Sequence, residues 1–364
     1  MQRVKQDYID EFYCDNIRCR DSCYSSTRSI KDAEMSRRDL GVENLRVLLM
    51  FGICLLHSIS MCGNQNRWIS SPLCACVDAF VFITGYYGIK FRMSKLVRIY
   101  AIGFWCAVIS VFLPYFFGLD ATISIEEILK TFLSRFWFLH AYAVLMFLSP
   151  LVNKNIEMKI VWPVLFLVFC WGGVGSIQHI GSLMPRSSGV TAYSGLTLFG
   201  VYIAARLCRK YDLIERLDGR NSLIGFILLY IIAGLGWYEY CSPIALGLAM
   251  IAFKWGQKIQ IGAVGELFAP SAFSIYLLHS NPHGFLLMRT FEGFLIDHGI
   301  PIFLSYFIVA ATVFFVCALI DIPRRVCCAV FKCRLEKLCS IIDCLVDSVI
   351  VKLDKGISNN SGRV

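Results

Sequence analysis

Glu43, Arg46 and His57 lie in or beside an apolar run at residues 45–62, Asp78 within one at 72–89, and His279 within one at 270–288. Ionisable groups are expensive in such surroundings and tend to mark function. Arg46 and His57 are eleven positions apart. On a helix that is about three turns, so the two share nearly one face and stand about 16 Å apart along the axis. An arginine there holds anions. A histidine, with its pKa near neutrality, serves as a general base or relay. The plainer readings are a snorkelling arginine and a packed histidine. The Asp78 carboxylate lies at a depth similar to that of His57 and is a candidate partner for it. Lys90, Arg92, Lys95 and Arg98 follow, either as a topology signal or as a rim for the phosphates of an anionic donor. His279 and His283 have a spacing that can ligate a metal, but no carboxylate partner is evident and no metal is expected. None of the six histidines begins an H-x4-D motif, and the chain has no G-x-S-x-G, P-loop or G-x-G-x-x-G. Active sites of the soluble type built on those motifs are therefore excluded.

The elements that must position these groups are legible in the composition. The chain is 57% hydrophobic and only 17% charged, against about 25% charged in soluble domains. Apolar runs recur at residues 45–62, 72–89, 97–117, 132–152, 159–176, 190–207, 221–237, 241–253, 270–288 and 301–320, without the alternation of a barrel strand. The pattern predicts an all-α polytopic membrane protein, a helical bundle of about ten transmembrane helices. The eighth run is short, and is tilted, re-entrant or fused with the seventh. The net charge of +9 is accounted for by alternate loops rather than by nucleic acid. Basic residues crowd residues 90–98 and 206–220, while the opposite loops hold only Arg67, Lys130, Arg186 and Arg289. The positive-inside rule then places both termini in the cytoplasm. The Thr84-Gly85 step permits close helix contact.

Seventeen cysteines do not form a disulfide framework on this reading. Those inside apolar runs act as small hydrophobes, and most of the others fall on the reducing side. Residues 1–38 read as a disordered polar extension, with Met35 as an alternative start. Residues 39–324 form the transmembrane domain. Residues 325–364 carry apolar positions at helical spacing, which suits an amphipathic helix on the inner leaflet or a solvated helical tail, followed by a disordered end.

Several of these motifs resemble, in order, those of the acyltransferase-3 family. Glu43-Asn44-Leu45-Arg46, with His57 after ten intervening residues, resembles its first-helix signature. The run Asp78 to Tyr86 is similar to its Phe-rich second-helix motif, with Thr84 in place of a serine. Lys95 to Arg98 is similar to its R-x-x-R motif, with lysine first. Trp137-Phe138-Leu139 and Ser149-Pro150-Leu151-Val152-Asn153 resemble its fourth-helix pattern in polysaccharide O-acetylases. Phe273 to His279 resembles its late Tyr-Leu-x-His motif, which singles out Tyr276 and His279.

The resemblance implies transfer of an acyl group, usually acetyl from acetyl-CoA, to a hydroxyl of a carbohydrate acceptor in a bacterial inner membrane. Arg46, Lys95 and Arg98 would hold the phosphates of the donor. His57 would act on the acceptor hydroxyl, and Glu43 or Asp78 would orient a partner. Two other classes remain open: a transporter or flippase for lipid-linked sugars, and a membrane scaffold. No inverted repeat or paired broken helices favour the transporter, and a scaffold leaves Arg46, His57 and Asp78 needlessly costly.

Overall fold

A computed structural model describes residues 29–61, 67–119, 123–161, 164–165, 195–235, 242–259, 262, 264–331, 334, 338 and 341–344. Regular structure among the described residues is helical, with no strand. The helices are α1 Ser29–Met61, α2 Arg67–Tyr87, α3 Met93–Phe116, α4 Ile125–Lys130, a π-helical turn Thr131–Arg135 and α5 Trp137–Asn155. After the next undescribed stretch come α6 Gly195–Lys210, α7 Leu213–Arg216, α8 Gly219–Gly234, α9 Pro243–Gly256 and α10 Val264–Phe268. A 3₁₀ turn Ala269–Ser271 leads into α11 Ala272–His279, then α12 Pro282–Asp297 and α13 Ile302–Val330.

Among the described residues four helices are long and apolar enough to cross a membrane: Leu40–Ser60, α2, α3 and α13. The α4–π-helix segment and α5, bent by 50° between them, make a fifth if counted as one span. This is a membrane helical bundle, but the expected count of ten is not reached among the described residues. The fifth expected run and the start of the sixth fall largely outside them. The seventh and eighth are the shorter helices α8 and α9, packed on each other. The ninth is broken between His279 and Pro282. A run of apolar residues shows that a segment can be buried, but not whether one helix crosses it unbroken.

Among the described spans helix α1 is the most buried. Its apolar window is 78% buried, against 39% for α3 and α13. It packs on α2, α9, α10, α11, α12 and α13. The outward faces of α8 (Ile224, Ile227, Leu228, Ile231) and α13 (Phe303, Phe307, Phe315, Leu319) are exposed and apolar, as faces turned to lipid must be.

Two boundaries differ from expectation. Ser29–Arg38, assigned to a disordered extension, are helical and continue α1 backwards; adding turns to an existing helix is cheap once it is nucleated. Residues 1–28 lie outside the described residues. Helix α13 also runs past the expected end of its span at 320 and the domain boundary at 324, through Pro323, and ends at Val330. Asp321 accepts hydrogen bonds from Arg324 Nε at 2.6 Å and Nη2 at 2.7 Å, a brace across the proline. Further on, Asp343 accepts from the Ser94 N–H at 2.9 Å and the Ser94 hydroxyl at 2.6 Å, and so caps the start of α3 from the C-terminal segment.

The α2–α3 connection is clamped by the Ser149–Asn153 motif. The Ile89 carbonyl accepts from Asn153 Nδ2 at 2.8 Å, and the Ile89 N–H donates to the Tyr202 hydroxyl at 3.0 Å. That hydroxyl donates in turn to Asn153 Oδ1 at 3.1 Å. Gly85 makes the same contact region possible: a Cβ there would lie 2.7 Å from the Tyr202 carbonyl oxygen. Gly85→Val is expected to force α2 from α6 and cost about 1–3 kcal/mol, read as a lower thermal unfolding midpoint in detergent. Gly293→Ala, where a Cβ meets nothing within 4 Å, should be neutral or slightly stabilising.

Candidate active site

The site begins with one stripe of α1. Glu43, Arg46, Met50 and Ile53 line a cleft. Their spacing of three and four residues keeps them on a single helix face, and His57 is the next position on that stripe. The opposite wall comes from Val77, Phe80, Val81 and Thr84 of α2, with Ile99 of α3, Phe138 and Tyr142 of α5, and Phe273 and Tyr276 of α11. The cleft is thus charged where Glu43 and Arg46 stand and apolar along the rest of its length.

Arg46 is fixed by Glu43, with which it forms an ion pair one turn away. Lys95 precedes Ile99 by one turn on the same stripe of α3, and Arg98 adjoins it. Neither is among the residues that line the cleft.

One turn past Ile53 on the same stripe, beyond the residues that line the cleft, His57 meets His279. Their ring centroids are 5.0 Å apart, and Phe285 packs edge-on against His57 at 5.3 Å. His279 Nδ1 lies 2.5 Å from the Ile275 carbonyl oxygen. That position requires a donor, so Nδ1 carries the proton and Nε2 the lone pair. His279 Nε2 and His57 Nδ1 are buried with no hydrogen-bond partner among the described residues. Buried polar atoms are nearly always paired, and exceptions gather at sites of chemistry. Tyr276 lies 6.0 Å from the His279 ring, centroid to centroid, and is hydrogen-bonded through its side chain to Trp137. Trp137, Tyr276, His279 and His57, far apart in sequence, thus form one connected row.

Asp78 is not part of that row. It is fully buried, but on the face of α2 shared with Ala75, Phe82 and Gly85, about 100° from the cleft stripe of Val77, Val81 and Thr84 at 3.6 residues per turn. Gly85 packs on α6 and Phe82 on Phe253 of α9. The histidine's ring partners are His279 and Phe285. Similar depth had suggested a pairing with Asp78, but helical rotation turns the aspartate about 100° from the cleft stripe. The break after His279 likewise separates His279 from His283, so their spacing sets no metal site. No group of three or more His, Cys, Asp or Glu gathers as one among the described residues.

Asn281 makes this arrangement possible and carried no motif of its own. Its Nδ2 donates to the Leu277 and Leu278 carbonyls at 2.7 and 2.9 Å and to the Ser110 hydroxyl at 3.1 Å. Its Oδ1 accepts from the N–H groups of His283 and Gly284 at 3.0 and 3.2 Å. One side chain closes α11, opens α12 and ties both to α3. The signal was the Asn-Pro step at 281–282, an N-cap followed by proline in the first turn.

Asn281→Ala is expected to lower stability by about 1–2 kcal/mol, the upper range for a lost cap. Scanning fluorimetry of the purified protein checks this. Asn155→Ala, which removes an exposed bond to the Leu151 carbonyl, should change stability by less than about 0.5 kcal/mol.

A family model described as an acyltransferase domain matches residues 39–322, more than half of the chain. No curated protein and no solved structure matches it. The match covers every helix that lines the cleft and both histidines. The chain belongs to the acyltransferase-3 family and is a membrane acyltransferase.

Proposed function

We propose that this acyltransferase moves an acetyl group from acetyl-CoA to a hydroxyl of a sugar or surface polysaccharide in a bacterial inner membrane. The observation that carries the reading is a cleft holding a paired guanidinium, with an imidazole pair carrying unpartnered nitrogens just beyond its lining, one turn past Ile53 on the same stripe of α1. Acetyl-CoA has the matching polarity: anionic phosphates, then a long, thin pantetheine arm ending in the thioester. By the positive-inside rule, Arg46, Lys95 and Arg98 stand at the cytoplasmic end, where the donor is made. Arg46 binds phosphate through its planar fork. Lys95 and Arg98 add positive charge at the mouth. The arm then runs along Met50, Ile53, Phe80 and Phe138 towards the histidines.

His57 is the general base. A ring nitrogen takes the proton of the acceptor hydroxyl as its oxygen attacks the thioester carbonyl. The C–O bond forms, the C–S bond breaks, and the imidazolium returns the proton to the departing CoA thiolate. His279, with its Nε2 lone pair fixed by the Ile275 bond, lies close enough to share that proton. Tyr276 and Trp137 hold His279 in place and are positioning residues.

Proton NMR of O-acetyl groups on the host's surface polysaccharide tests this reading. His57→Ala should lower acetylation by about 10²-fold or more, the usual contribution of a general base, at unchanged polymer yield and protein level. Unchanged acetylation would contradict the proposal. Loss of polymer itself would favour export of a lipid-linked sugar.

A further inference from the structure

A second cluster of ionisable groups lies beside the histidine pair. Glu127 of α4, Arg135 of the π-helical turn and His283 of α12 converge from three elements. Arg135 Nη1 lies 2.5 Å from Glu127 Oε1, and His283 Nε2 lies 3.1 Å from both atoms. The side chains are enclosed but reachable, with 21%, 18% and 12% of the surfaces of Arg135, Glu127 and His283 exposed.

The cluster is at the end of the bundle opposite the donor cations. Helix α3 fixes this: Lys95 is in its first turn, whereas Ser110 bonds Asn281 beside His283. The rise from Lys95 to Ser110 is about 22 Å. The cluster is also tied to His57, because the first turn of α12 carries both His283 and Phe285, the ring packed on His57. The π-helical turn is braced separately: His140 Nε2 lies 3.0 Å from the Phe132 carbonyl and Nδ1 3.2 Å from the Tyr100 hydroxyl.

We infer that Glu127, Arg135 and His283 form the binding subsite for a polyhydroxylated acceptor, a carbohydrate whose reacting hydroxyl is presented to His57. This rests on the reading of the chain as transferring acyl groups to a hydroxyl. All the contacts within the cluster fall on one carboxylate oxygen, Oε1, and one guanidinium nitrogen, Nη1. The second carboxylate oxygen and the remaining guanidinium N–H groups form an acceptor and a set of donors side by side. Vicinal hydroxyls, each both donor and acceptor, match that set. A site built to hydrogen-bond hydroxyls discriminates strongly against acceptors that lack them.

The test uses the full-length protein in lipid nanodiscs and the methyl glycosides of glucose, galactose, mannose and rhamnose. Binding is read by saturation-transfer difference NMR. At least one glycoside is expected to bind the wild type, and Glu127→Gln and Arg135→Lys should each weaken it tenfold or more at an unchanged unfolding midpoint. On the wild type alone, bound glycoside should protect His283 from diethylpyrocarbonate, read by mass spectrometry, so the result does not depend on the variants folding. The inference is overturned if no glycoside binds, if binding ignores both substitutions, or if His283 is not protected; the cluster is then an ion bridge tying α4 to α12. Release of CoA from acetyl-CoA by the wild type separates the two levels. CoA release without glycoside binding sinks the subsite alone. Glycoside binding through the cluster without CoA release sinks the acyl-transfer reading and leaves the subsite standing.

Discussion

The site depends on a helix break in an apolar bundle, and one side chain satisfies that break. A helix that ends inside a membrane leaves carbonyls at one end and N–H groups at the next start without partners, at a cost of several kcal/mol each in hydrocarbon. Asn281 supplies donors to Leu277, Leu278 and Ser110 and an acceptor to His283 and Gly284. The break ends α11 at His279 and starts α12 so that Phe285 covers His57 and His283 turns to Glu127. A continuous helix would carry His279 and His283 on one face and bring neither to its present partner.

Helix α1 acts as the axis of the arrangement. Its polar stripe is spread along its length, with Glu43 and Arg46 at one end and His57 at the other. Each polar group meets a different solution to burial. Arg46 is neutralised by Glu43. His279 donates to a carbonyl of its own helix, and one nitrogen of each imidazole is buried without a hydrogen-bond partner among the described residues. Between these ends the stripe is apolar, with Met50 and Ile53 facing the cleft. The clamp on Ile89 by Asn153 and Tyr202 keeps α2, α5 and α6 in register around that passage.

Much of this was legible in the sequence because helical spacing fixes helix faces. Arg46 and His57 read as one stripe, Thr84-Gly85 as a close contact, and Trp137, Tyr276 and His279 as motif residues that the fold brings into a row. What spacing alone does not fix is rotation of one helix against another, which is why Asp78 read as a partner for His57 although it faces α6 and α9. Hydropathy is equally silent on breaks: the run at 270–288 is uniformly apolar, and only the Asn-Pro step marks the discontinuity. It also ended the last span at 320, whereas α13 continues to Val330 with the Asp321–Arg324 pair across Pro323. The Glu127–Arg135–His283 cluster was hidden for a different reason. Its members come from separate elements, and each alone reads as a loop or end-of-span charge.

The central claim is that the cleft between α1 and α2 receives the acyl donor, with its phosphates on Arg46. Calorimetric titration of acetyl-CoA into the full chain in nanodiscs tests it most directly. The comparison is with the double variant Glu43→Gln/Arg46→Gln, which removes both members of the ion pair and so strands no buried charge. The account predicts saturable binding by the wild type and a loss of tenfold or more in the double variant. No binding by the wild type, or equal binding by both proteins, would contradict it.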